Sequence, residues 1–244
     1  MIRHAIANAY IQQMQERLHC PVYQKRSNMS RLSPDDEHAV VDEASLRRLF
    51  GDTHEIARLK CLAELDVHAR AFVARSPFLC LSTQNGAGRP DVSPRGDPPG
   101  FVNVLDGATL AIPDRPGNNR LDSLSNIISN PSVGLLFLVP GFDETLRVNG
   151  KARLSIAPTL LESMVVAGRR PRLAIVVDVN EVFLHCAKAF RRSRLWDPDA
   201  RQDRHEMPSL SRMVLEQTTG APRDPKEMER IDDALEAEYR KSMY

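Results

Sequence analysis

The sequence predicts a mainly β fold, an antiparallel barrel with a few peripheral helices. Three observations predict it. Short apolar runs separated by Gly-rich turns recur between Phe78 and Ile112, the pattern of consecutive hairpins. Longer apolar or alternating segments follow at Val133–Val139, Thr145–Ile156 and Leu173–Phe183. Strands and helices do not alternate, as they would in a doubly wound parallel sheet.

The elements follow in chain order. Asp42 or Ser45 is placed to cap a short helix through Phe50. Thr53 then caps a longer one, with Glu55 in its first turn. Ile56, Leu59, Leu62, Leu65, Ala69, Phe72 and Val73 recur at three- and four-residue steps, one apolar helix face. Ser76-Pro77 ends it, because the residue before proline avoids helical backbone. Phe78–Thr83 and Arg89–Arg95 flank the turn Asn85-Gly86-Ala87-Gly88. Phe101–Leu105 and Thr109–Ile112 flank Asp106-Gly107, a dipeptide that takes positive φ readily. Leu121–Ser129 reads as a helix stopped by Asn130-Pro131. Val133–Val139 reads as a strand buried on both faces. Within Thr145–Ile156, Asn149-Gly150 is either a tight turn or a bulge in one long strand. Pro158 opens a helix to Ala167, and Leu173–Phe183 is the next strand. Cys186–Trp196 reads as helical, a polar stretch runs to about Pro225, and Lys226–Lys241 is the last helix, striped by Met228, Ile231, Leu235 and Tyr239.

Composition narrows the function classes. Of 244 residues, Lys and Arg number 33 and Asp and Glu 32, for a formal charge of +1; a nucleic-acid binder shows a clear basic excess instead. The longest apolar run, within Gly134–Pro140, is far too short to span a bilayer. The N-terminus lacks a signal-peptide pattern, so the expectation is a cytoplasmic protein that engages neither nucleic acid nor membrane. Cys20, Cys61, Cys80 and Cys186 form no CxxC pair, and the histidines are scattered, so no metal site is expected. Residues 1–31 carry Arg3, Arg17, Lys25, Arg26 and Arg31 against the single acid Glu16. This stretch reads either as a poorly ordered extension or as a translated leader with Met29 the true start.

Two loops hold the residues best suited to chemistry. The first is Asp91-Val92-Ser93-Pro94-Arg95-Gly96-Asp97-Pro98-Pro99-Gly100. The second runs from Ile112 through Pro113, Asp114, Arg115, Pro116, Gly117, Asn118 and Asn119 to Arg120. Proline pins the backbone, glycine lets it approach a ligand, and arginine offers a planar fork that matches phosphate oxygens. The second loop leads into a helix N-terminus, whose free N–H groups favour an anion. The alternative is that the arginines pair with Asp97 and Asp114. A third cluster, His185 to Trp196, sets Lys188, Arg191, Arg192 and Arg194 beside the only Trp. Lys188 or Arg194 can meet a phosphate and Trp196 a flat ring, or the helix is simply basic and exposed with Trp196 in the core. His185 and Cys186 are neighbours on a strand and point apart, which argues against a Cys–His nucleophile.

Taken together, these residues resemble a known family. Phe78–Thr83, Gly88–Gly96, Leu110–Pro113, Asn126, Asn130-Pro131-Ser132-Val133 and Leu146-Arg147-Val148-Asn149-Gly150 stand in the order found in the pyridoxamine 5′-phosphate oxidase-like flavoproteins, over roughly residues 70–187. Ser93–Gly100, Asp114–Arg120 and His185–Ala189 resemble an uncharacterised bacterial subgroup of FMN-dependent members. The resemblance implies a split β-barrel that forms a homodimer, with FMN in a groove at the interface. On this chain the implied cofactor-binding positions are Ser93, Arg95, Gly96 and Asp97, then Arg115, Asn118, Asn119 and Arg120. Lys188 and Trp196 are further candidates, on the substrate side or toward the partner subunit's flavin. The resemblance also favours the bulge over the turn at Asn149-Gly150.

The implied organisation is a basic extension and linker over 1–41, a helical lead-in over 42–76, the FMN-binding barrel over 77–187 and a helical segment over 188–244. The implied function is FMN-dependent oxidation or reduction of a small molecule by hydride transfer at flavin N5, with no side-chain nucleophile. The alternatives are a non-catalytic flavin-binding sensor or store, or a deazaflavin- or haem-binding member of the fold. Enzymes that oxidise pyridoxamine phosphate carry a C-terminal Arg-Leu-His segment. Here Arg194-Leu195-Trp196 has no His after the Leu, so only the cofactor half of the resemblance carries over.

Overall fold

The computed structural model describes residues 38–243. The basic stretch 1–31 and Met29 lie outside the described residues. The chain divides into two compact units. One gathers 38–54 and 207–240: helix α1 (Glu43–Phe50), α7 (Leu210–Thr218) and most of α8 (Pro225–Ser242). Asp42 caps α1, its carboxylate accepting from the Ser45 amide at 2.6 Å. Ser209 caps α7, a helix that falls in the stretch read as merely polar.

The second unit comprises 55–206 together with the described end of the chain from Lys241. It opens with α2 (Glu55–Leu59) and α3 (Val67–Arg75), followed by β1 (Phe78–Gln84), β2 (Pro90–Gly96), β3 (Asn103–Val104) and β4 (Thr109–Pro113). Then come α4 (Asp122–Ser129), β5 (Ser132–Leu138), β6 (Thr145–Ser155), α5 (Pro158–Glu162), β7 (Ala174–His185) and α6 (Lys188–Ser193). The strands form one sheet in the order β2-β1-β5-β6-β7-β4-β3, and each pairing is antiparallel.

The single long helix expected from Thr53 to Arg75 is two helices. Leu62 leaves helical backbone and exchanges two hydrogen bonds with Val182, 2.9 Å and 2.8 Å, which continues the ladder of β7. A fresh start then follows at Asp66, whose carboxylate accepts from the Ala69 amide at 2.7 Å. Asp66→Ala therefore lowers unfolding free energy by about 1 kcal/mol in urea denaturation, and Asp66→Asn recovers most of that loss. At the other end of α3, Ser76 stops the helix as expected. It is fully buried, and its hydroxyl lies 2.7 Å from the carbonyls of both Phe78 and Leu138, which share its one proton.

Alternation places Leu79, Leu81, Phe137, Leu146, Val148, Ile175 and Val177 in one buried core. β5 is not buried on both faces, as its unbroken apolar run suggested. Val133, Leu135 and Phe137 are buried, while Gly134, Leu136 and Leu138 are only partly covered on the other face. β7 is the strand buried on both sides over Ala174–Val177. There, Ala111, Ala174 and Val176 pack with Leu161 and Met164 in a second cluster. β6 runs unbroken through Asn149-Gly150, where the register against β7 shifts, so the bulge reading holds.

The sheet is rolled rather than flat. β2 lies at one edge and the β4–β3 pair at the other. Yet Arg95 of β2 reaches Asp114, just past β4, at 2.8 Å, and Asp97 reaches Arg115. Among the described residues no ladder joins these edges, so side chains close a barrel that the backbone leaves split.

Candidate functional site

The two arginine-bearing loops meet at this seam. β2 is an edge strand, which tolerates Pro90 and Pro94 because no ladder bond is lost on its open side. Its alternation leaves Asp91, Ser93 and Arg95 half-buried on one face and Pro90, Val92, Pro94 and Gly96 exposed on the other. Past the strand, the Asp97 amide donates to the Pro77 carbonyl at 3.0 Å. The second loop begins where the Asp114 amide donates to the Leu173 carbonyl at 3.0 Å.

The loops are then cross-linked by two ion pairs that run in opposite senses. Arg95 Nη1 donates to Asp114 Oδ1 at 2.8 Å, and Arg115 Nε donates to Asp97 Oδ2 at 2.5 Å. Arg115 Nη2 also donates to the Met164 carbonyl at 2.9 Å. The side chains of Arg95, Arg115 and Asp114 are 17%, 14% and 20% exposed, and that of Asp97 only 1%. Each arginine thus has the aspartate of the opposite loop, the pairing weighed from sequence as the alternative to anion binding. One donor is left over. Arg95 Nε is buried and meets no acceptor, and such an atom calls for an explanation in a native fold.

The rest of the second loop turns sharply into α4. Asn119 and Leu121 both take φ of 58°, a left-handed conformation that non-glycine residues seldom adopt. Asn118 Oδ1 accepts from the Arg120 amide at 3.1 Å, and Arg120 Nε donates to Asp122 Oδ2 at 2.7 Å. The cap residue Leu121 has no side-chain acceptor to offer the first turn of α4. Two contacts fix this helix beside the seam: Ser123 Oγ donates to Asp91 Oδ2 at 3.1 Å and Asn126 Nδ2 to Thr83 Oγ1 at 2.9 Å.

The structure therefore brings Ser93, Arg95, Gly96, Asp97 and Arg115 together, with Asn118, Asn119 and Arg120 on the way into α4. Lys188 and Trp196 are not among the residues that cross-link these loops. Both follow the C-terminal end of β7 at His185, whereas the second loop flanks its N-terminal end at Ala174. Those 12 residues put the start of the second loop on the order of 35 Å from His185 along the strand, whereas the first loop lies toward the His185 end of the sheet, since Arg95, Leu79, Phe137, Leu146 and Leu184 stand in one cross-strand row. Trp196 is neither in the core nor free. Its indole Nε1 donates to the Phe142 carbonyl at 2.7 Å and its ring lies 5.8 Å from that of Phe190. With Arg191, Arg194 and Asp143 these rings line a shallow open hollow. Lys188 is exposed on α6, a helix of six residues rather than the longer one expected.

Sequence reasoning missed the Met164 carbonyl that holds Arg115. A backbone acceptor 49 residues away leaves no local signal. Among the described residues, no group of three or more His, Cys, Asp or Glu is placed to hold a metal ion. No described helix is long and apolar enough to cross a membrane.

The family model described as pyridoxamine 5′-phosphate oxidase matches residues 65–186. No curated protein matches the chain. Solved structures superpose on about half of it. HupZ from Group A Streptococcus is 14% identical with a TM-score of 0.41, over 49% of this chain and 92% of that one. General stress protein 26 from Bacillus anthracis is 14% identical with a TM-score of 0.38, over 47% and 88%. An FMN-binding protein from Syntrophomonas wolfei is 10% identical with a TM-score of 0.39, over 59% and 96%.

Proposed function

Because the chain belongs to the pyridoxamine 5′-phosphate oxidase family, we propose that it is a cytoplasmic FMN-dependent oxidoreductase, active as a homodimer. Bound FMN supplies the chemistry, accepting or giving a hydride at N5 on behalf of a small-molecule substrate.

The observation that carries this reading is the orphaned Arg95 Nε at the seam. An anionic oxygen in reach of that atom completes the guanidinium, which Asp114 already holds in one orientation. Ser93, the Gly96 amide, Arg115 and the turn Asn118-Asn119-Arg120 would hold the rest of the phosphate. Asp97 plays a different part from the one its place in the motif suggests. Its buried carboxylate is bound to Arg115, so it positions that arginine and does not itself touch an anion.

Two features support a dimer. On the outer face, Val92 is 65% exposed and Pro94, Cys80 and Leu136 lie side by side in register, an apolar strip that a second copy would cover. Moreover, Trp196 is held by the Phe142 carbonyl and the ring of Phe190 and not by the loops of its own chain. The partner's Lys188 and the partner's Trp196 would close the pocket from the other side.

Natively purified protein tests the reading. It is expected to be dimeric by light scattering, to release FMN identified by mass, and to bleach under NADH or NADPH without oxygen. A yellow protein that no donor bleaches would be a flavin-binding module, and one that takes up only a deazaflavin or haem would overturn FMN. Arg95→Ala is expected to weaken FMN binding about tenfold to a hundredfold in a fluorescence titration, the loss of one charge-assisted contact of roughly 1.5–3 kcal/mol. Undiminished affinity in Arg95→Ala would show that the phosphate lies elsewhere.

A further inference from the structure

The outer face of β6 and β7 gathers a second set of charges. Cross-strand pairing sets Thr145 opposite His185, Arg147 opposite Phe183 and Asn149 opposite Glu181, and residues two apart share a face. Lys60 joins them because Leu62 is bonded to Val182, which pins the preceding residues beside β7. Its Nζ donates to the Leu184 carbonyl at 2.8 Å.

Two cations converge on one ring. Arg147 Cζ lies 4.9 Å and Lys60 Nζ 5.4 Å from the centroid of Phe183, both within the range in which an aromatic face attracts a cation. Among the described residues neither has a carboxylate within ion-pair distance. Arg147 differs in this from Arg95, Arg115, Arg120, Arg153 and Arg191, each of which is paired with an aspartate. Glu181, the acid on this face, accepts instead from Asn149 Nδ2 at 2.8 Å. The third basic group is His185. Its burial and the nearby charges of Arg147 and Lys60 hold its imidazole below the ordinary histidine range. Cys61 adds no charge, since burial and Glu181 push its thiol up. Like charges gathered with no carboxylate paired to them make a surface that an anion stabilises.

We infer that Lys60, Arg147 and His185, arranged on the ring of Phe183, form a recognition site for an anionic oxygen group of a small molecule, either a phosphate or a carboxylate. The ring orients the two cations and the imidazole is the third donor once protonated. Leu136, in the strip assigned above to a second copy, lies opposite Arg147, so the site borders the proposed dimer face, but its residues all come from one chain and its readout does not depend on bound flavin.

Histidine proton resonances of the full-length protein test it, with His185 assigned through His185→Gln. At constant ionic strength, chloride is exchanged for inorganic phosphate in one series and for acetate in another. An anion at the site favours the imidazolium, so the His185 titration is expected to move to higher pH with at least one of them. Movement with phosphate identifies a phosphate ligand, and movement with acetate alone a carboxylate. Arg147→Met and Lys60→Met should each weaken the response about tenfold to a hundredfold, as expected for one charge-assisted contact, and Arg147→Lys should retain most of it. Identical titrations in chloride, phosphate and acetate would overturn the inference, as would a full response in Arg147→Met. Flavin absorbance in the same samples reports separately on the loops.

Discussion

Gly150→Ala will destabilise the barrel by about 3 kcal/mol or more, at the upper end of what overpacking costs. A Cβ built on Gly150 lies 2.2 Å from the Asp178 carbonyl oxygen, 3.1 Å from its carbon and 3.2 Å from Val177 Cγ1. The first two are backbone atoms of the neighbouring strand, so no change of rotamer relieves the contact. Either the bulge between β6 and β7 shifts or the strands separate. These two strands form the longest ladder of the sheet, running from Thr145↔His185 to Ser155↔Ala174. Gly117→Ala is the control, because a Cβ there meets nothing within 4 Å and should change stability by about 0.5 kcal/mol at most. Urea denaturation of both variants decides the matter. Similar small losses in the two would mean that the close approach at Gly150 is not a constraint.

Arg115→Ala will cost about 3–5 kcal/mol, the range measured when one partner of a buried ion pair is removed. The Asp97 carboxylate, 1% exposed, loses its counter-ion, and the Met164 carbonyl loses a donor. Asp97→Ala removes the carboxylate from Arg115 in turn, but that guanidinium keeps the Met164 carbonyl and is still 14% exposed, so the loss should be smaller. The double variant should recover part of the difference, since it leaves neither charge stranded. Additivity of the two single losses within about 0.5 kcal/mol would show that the pair is not coupled across the seam. Measured on flavin-free protein, this cycle isolates the closure of the barrel from any contribution of the cofactor.

Both effects arise where the fold brings distant segments together, and the sequence read alone was uneven at such places. Turn signals located the hairpins well. Asn85-Gly86 and Asp106-Gly107 lie between paired strands, and Ser76-Pro77 ends a helix. The bulge at Asn149-Gly150 was open on local grounds and was favoured only by the order of motifs around it. The helix over Thr53–Arg75 was misread because its three- and four-residue spacing is continuous, whereas Leu62 is claimed by Val182, 120 residues later. The helix Leu210–Thr218 was missed inside a stretch judged by its charges, although Ser209 is a good cap.

Within the candidate site, residue types were legible but partners were not. Arg95, Asp97, Asp114 and Arg115 stood out by their setting among Gly and Pro, and their mutual pairing was one of two open readings. The cluster of Lys60, Arg147 and His185 was not seen at all, since Lys60 meets the Leu184 carbonyl across 124 residues.

Taken by itself, the chain's order of residues determined the strands, most helix ends and the two loops rich in arginine, because alternation, capping and turn conformation depend on neighbours a few positions away. Only the tertiary structure decided that those loops lock together, that Arg95 keeps a donor in reserve and that Trp196 is held by the Phe142 carbonyl. These depend on how far a seven-stranded sheet curls, and curl accumulates from twist along every strand rather than residing in any short segment.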